Sequence, residues 1–152
     1  GNPMNMNMKC ATAYKRQNLL FLHGSSQTSA GVWIACAPFL RVEPQALQAV
    51  VGDAVLESLA SSKQGIAHPT NWTGLVEPMF ALAGVKSWAI FMKNSSCVGI
   101  EQNNTLLKLI PQRNLGTKEG FEPIFNKIVE LPSQASAKEI GESLDSAFAL
   151  CE

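Results

Sequence analysis

The last seventeen residues constrain the fold more than any other part of the chain. Ser136 stands three residues before Glu139, the spacing of a reciprocal helix N-cap. Ile140, Leu144, Ala147, Phe148 and Cys151 then recur at intervals of three and four. That spacing predicts a helix with one apolar face, with Lys138, Glu139, Glu142, Ser143, Asp145 and Ser146 on the watered side. A helix this short is marginal in water by itself. It needs an apolar surface to lie on, and the preceding residues must build one.

Several segments read as strands of that surface. AYKRQNLLFLHG, residues 13–24, ends in an apolar run bounded by Gly24 and reads as one strand. GVWIACAPFL, residues 31–40, reads as a second, which Pro38 ends or confines to an edge. The two are expected to pair as a hairpin. Pro44 suits a first helical position. Leu47, Val50, Val51, Ala54, Val55 and Leu59 predict a helix from there to about Ser61. A short helix is expected over Gly74–Ala83, stopped by Gly84. Residues 87–93 fit a helical turn or a strand equally. CVGIEQ and TLLKLIPQR flank Asn103-Asn104 as a hairpin, on the reasoning that asparagine tolerates positive φ. KIVELP, 127–132, reads as a further strand. The expected class is α+β, with a mixed or mostly antiparallel sheet covered by helices. Strand order does not follow from these patterns.

A chain of 152 residues, 46% apolar, suits one domain, here residues 8–152. Gly1-Asn2-Pro3 reads as a cloning remnant. The polar N-terminus lacks the apolar core of a secretion signal, and no apolar run reaches bilayer length. The expected location is the cytoplasm, with no membrane partner. Zero net formal charge and 16% charged residues do not fit a general nucleic-acid binder.

Motifs of chemistry are sparse. Cys10, Cys36, Cys97 and Cys151 show no paired spacing, which argues against metal. No phosphate-binding glycine loop is present, and no cofactor is expected. A cysteine nucleophile would need His23 or His68, the only histidines, beside Cys36 or Cys97. A small cysteine-dependent enzyme therefore stands as one alternative, and a self-associating adaptor as another. Cys97, beside Val98 and Ile100, reads as a small core residue.

Charge distribution says more. Residues 1–118 hold ten Lys/Arg and five Asp/Glu, whereas residues 119–152 hold two and seven. The acidic C-terminal quarter suggests a surface for docking a basic protein face, such as a phosphate-handling cleft. The candidate contacts are Glu119, Glu122, Glu139, Glu142 and Asp145, with Trp33 and Trp72 as aromatic anchors.

The stretches GVKSWAIFMKNSSCVGIEQNNTLLKLIPQRNLGTKEGFEPI, LPSQASAKEIGESLDSAFALCE and YKRQNLLFLHGSSQTSAGVWIA together span most of Tyr14 to Glu152. They resemble the CdiI-type immunity proteins of bacterial contact-dependent growth inhibition systems. The resemblance implies a non-enzymatic cytoplasmic inhibitor. It would bind the C-terminal toxin domain of a cognate CdiA effector, expected to be a nuclease and most often a ribonuclease, and occlude its active site. The family brings no catalytic residues to this chain. Nor does it bring a motif that fixes the toxin contacts.

Overall fold

The structure, a computed structural model, describes residues 7–152, so the Gly1-Asn2-Pro3 remnant lies outside the described residues. Its strands are β1 (Lys9–Arg16), β2 (Leu19–Thr28), β3 (Trp33–Val42), β4 (Gln64–Ile66), β5 (Ser96–Gln102), β6 (Leu106–Asn114), β7 (Phe121–Pro123) and β8 (Val129–Pro132). The helices are α1 (Gln48–Ala60), α2 (Glu77–Ala83), α3 (Trp88–Met92) and α4 (Ala137–Ala149). The class is α+β, as the sequence indicates. The sheet runs β3-β2-β1-β5-β6, with β7 and β8 both along the outer edge of β6. Among the described residues only β4 pairs in parallel, beside the end of β2.

Three sequence expectations are corrected. Residues 13–24 are not one strand but part of a hairpin, because Gln17 and Asn18 turn the chain at φ 53 and 64. Two successive positive-φ residues make the tight turn whose twist matches paired strands. The Asn103-Asn104 turn forms for a different reason from the one expected. Neither residue has positive φ. The Asn103 Oδ1 instead accepts from the backbone N–H groups of Thr105 at 2.9 Å and Leu106 at 2.8 Å.

The third correction concerns α1. It starts at Gln48, and Pro44 sits in the turn before it. Val51, Ala54, Val55 and Leu59 are buried, but Leu47 is 74% and Val50 48% exposed. The cause is the crossing with α4. A Cβ on Gly52 would overlap the Ala137 carbonyl, and one on Gly141 would overlap that of Gln48. The two helices thus touch backbone to backbone along the 48–52 row of α1. That contact rotates Leu47 and Val50 outward.

Strand alternation assigns two cores. Ala11, Ala13, Leu22, Val98, Ile100, Leu107 and Leu109 face α1 and α4, which contributes Ile140, Leu144, Ala147 and Phe148. Tyr14, Phe21 and Cys97 face the other way, under Met79, Phe80 and Phe91 from α2 and α3. Ser87 caps α3 by accepting from Ile90 N–H at 3.2 Å. This sets Phe91 edge-on to Tyr14, with centroids 5.3 Å apart, and to Phe21 at 5.6 Å. Residues 87–93, open on periodicity alone, are therefore helical.

Candidate interaction surface

The cysteine and histidine positions do not assemble into a dyad. His23 and Cys36 lie on opposite faces of the sheet. His23 packs with Tyr14 and Phe39, whereas Cys36 accepts from the Ser26 hydroxyl at 3.3 Å and lies near Ser61 at the end of α1. Cys97 shares the face of His23, but β1, carrying Tyr14, runs between them. The His23 Nδ1–H donates to the Gly24 carbonyl at 2.8 Å. Burial lowers the pKa of its ring, a trend that carbonyl partly opposes. Cys97 is 3% exposed, and burial pushes its thiol well above the ordinary range. His68 is committed elsewhere: its Nδ1 bonds the Thr28 hydroxyl at 2.9 Å, and its ring meets Trp72 at 4.9 Å. Among the described residues, no group of three or more His, Cys, Asp or Glu is placed to hold a metal ion.

The candidate acids are all exposed, but several already have partners. Glu122 pairs with Arg113 at 3.0 Å. Glu142 lies 3.9 Å from Lys138 one helical turn earlier. Glu139 accepts from the Ser136 hydroxyl at 3.1 Å and completes the cap read from sequence. Glu152 joins Arg113 at 3.2 Å and Lys127 at 2.9 Å, and hydrogen bonds from Lys127 and then Arg113 lower its carboxyl pKa. Exposed pairs of this kind contribute little to stability. Their larger effect is to neutralise much of the acidic quarter within the chain itself. Glu119 and Asp145 have no ion pair within 4 Å among the described residues.

Acids and tryptophans are not brought together. Glu119 sits in the β6–β7 turn, and Asp145 lines a cleft with Gln17 and Asn18 at the β1–β2 turn. Trp33 starts β3 opposite Gln27, and Trp72 meets edge-on the histidine held by Thr28, so both are at the other end of β2. Glu119 and Asp145 thus lie at the end of the sheet opposite to Trp33 and Trp72.

A third feature lies on the α2–α3 face. Those helices cover only the half near the β1–β2 turn. Beyond them a trough crosses the bare sheet, with Trp33 at one side and Pro123 and Phe125 at the other. Thr12, Gly99 and Ile110, neighbours in register on β1, β5 and β6, form its floor. Five strand spacings of about 4.8 Å make it roughly 24 Å long. Trp33 is half-buried, and Phe125 is 74% exposed. Among the described residues the one charged lining residue is Glu101, half-buried and with no ion pair within 4 Å. Its field adds to burial in raising the facing Cys10 thiol to about 12. The sequence reading missed this trough. Its signal was the alternation Cys97-Gly99-Glu101 on the face of β5 opposite Val98 and Ile100.

The architecture is that of a sheet-based α+β domain known from other solved structures. A Neisseria meningitidis protein of unknown function, NMB0488, is 21% identical, with a TM-score of 0.80 and 97% of each chain covered. A second match, at 14% identity and a TM-score of 0.80, covers 95% of this chain and 98% of the other. It comes from a structure described as a CdiA-CT/CdiI toxin and immunity complex from Yersinia pseudotuberculosis. No curated protein gives a match. The family profile is decisive: the chain belongs to the CdiI family of CDI immunity proteins, which it matches over residues 9–151.

Proposed function

We propose that this chain binds the C-terminal toxin domain of its cognate CdiA effector in the cytoplasm and neutralises it by blocking the active site, catalysing no reaction of its own. The toxin is a nuclease in this reading, and specifically a ribonuclease. The observation that carries the proposal is the family match over residues 9–151. The described toxin and immunity complex of a chain with the same fold agrees with it. Among the described residues no helix is long and apolar enough to cross a membrane. The chain needs no cofactor and makes no direct contact with nucleic acid.

The acidic residues act mainly at a distance. Glu119, Glu139 and Asp145, with Glu122 and Glu142 in part offset by their partners, attract a basic toxin surface and speed encounter. Trp33 and Trp72 supply anchoring area.

The test is protection in cells. The toxin domain encoded beside this gene is induced alone, with this protein, and with a non-cognate immunity protein. Growth arrest relieved only by this protein is the expected result, and RNA and DNA integrity in the arrested cells identifies the toxin's substrate. Arrest that persists despite soluble, folded protein contradicts the immunity role.

A further inference from the structure

We propose that the trough on the bare sheet face is the seat of the toxin domain, that Glu101 receives a lysine or arginine there, and that Trp33 and Phe125 make separate contacts at its two ends. This rests on the immunity reading above. The opposite face of the sheet is closed by α1 and α4, and half of this one by α2 and α3. What stays open has the composition of an interface core: aromatic walls, an apolar and small-residue floor, and a single charge. The Gln112 amide lies over Gly99, its Nε2 2.9 Å from where a Cβ would stand, and adds a neutral hydrogen-bonding group to the floor beside Glu101.

Charge complementarity names the occupant. Glu101 is a half-buried carboxylate without an ion pair among the described residues, although Lys108 is its register neighbour on β6. A half-buried unpaired carboxylate forms its strongest contacts with a cation that reaches it through apolar surroundings. Arginine and lysine fit this description. Their stems cover apolar surface such as Ile110 while the charged head makes the pair. A toxin that handles phosphates presents such residues around its active site.

The test uses the purified toxin domain with the full-length chain. Glu101→Lys is expected to weaken binding about 100-fold or more and Glu101→Gln about 10-fold, chiefly through faster dissociation. Glu57→Lys, the same charge change on exposed α1, shifts affinity less than about 3-fold. Circular dichroism checks that each variant is folded. Hydroxyl-radical labelling of the unsubstituted protein gives an independent readout, with Trp33 and Phe125 losing reactivity in the complex. A tight complex in which both stay fully labelled and Glu101→Lys binds like wild type overturns the trough and leaves the immunity role standing. Failure of the wild-type chain to bind the toxin overturns both. Protection of Phe125 in the free protein that grows with its concentration assigns the trough to a second copy and overturns the proposal.

Discussion

His23 can take up a proton only by placing a charge between Tyr14 and Phe39, beneath a sheet face it shares with the α2–α3 core. Its folded pKa is lowered, so the unfolded chain protonates first, near the free histidine value of about 6.5. The stability tied to neutral His23 is therefore complete above about pH 6.5 and is lost as pH falls from there through the folded value. Urea unfolding at pH 7.5 and pH 5 should show a lower midpoint in acid, and His23→Phe should shrink that difference. An unchanged difference would remove His23 as its cause. Cys97 leads to a second expectation at this scale. At 3% exposure with a raised pKa, its thiol should react with a maleimide orders of magnitude more slowly in native protein than in denaturant. Rapid native labelling of Cys97 with loss of protection in cells would reopen a role for that thiol.

At the scale of elements, the α1–α4 crossing governs the larger core. Helix propensity favours alanine over glycine by about 1 kcal/mol. At Gly141 that preference is expected to lose, because the added methyl overlaps the Gln48 carbonyl and backbone cannot yield as a side chain does. Gly141→Ala should lower the melting temperature by several degrees, as expected for about 1–3 kcal/mol in a domain of this size. A raised temperature would mean the helices separate at little cost. Ser136→Ala should cost about 1 kcal/mol through loss of the α4 cap, read by the same melt.

These elements also show how far sequence reading reached. α4 was legible because its cap and its apolar stripe agree, and Ile140, Leu144, Ala147 and Phe148 are all buried. α2 ended where Gly84 stopped it, at φ 70. On α1, Val51, Ala54, Val55 and Leu59 were legible as the buried face, but Leu47 and Val50 were not legible as exposed, since a glycine contact between helices carries no hydrophobic signal. β4 and β7, three residues each, were too short for any periodicity. The alternation on β5 marked Gly99 and Glu101 as sharing a face, but the trough itself exists only where β1, β5 and β6 lie side by side, which requires the strand order.

For the whole molecule, charge and shape act at different stages of binding. The acidic quarter works over a Debye length of about 8–10 Å in ordinary buffers, so it should set association rates rather than residence times. Replacing both Glu142 and Asp145 by lysine should slow association with the toxin several-fold and flatten its salt dependence, leaving dissociation nearly unchanged. An association rate equal to wild type across a salt series would rule out steering by this helix. The anchors, by contrast, should govern dissociation, and the trough separates cleanly from α4 because the sheet lies between them.

One measurement addresses the central claim directly: titration of the purified toxin domain with this protein, following heat of binding and toxin activity in the same samples. The account predicts nanomolar affinity and activity that falls to zero at one equivalent. Tight binding with full residual activity would contradict inhibition by occlusion, and absence of binding would contradict the immunity function itself.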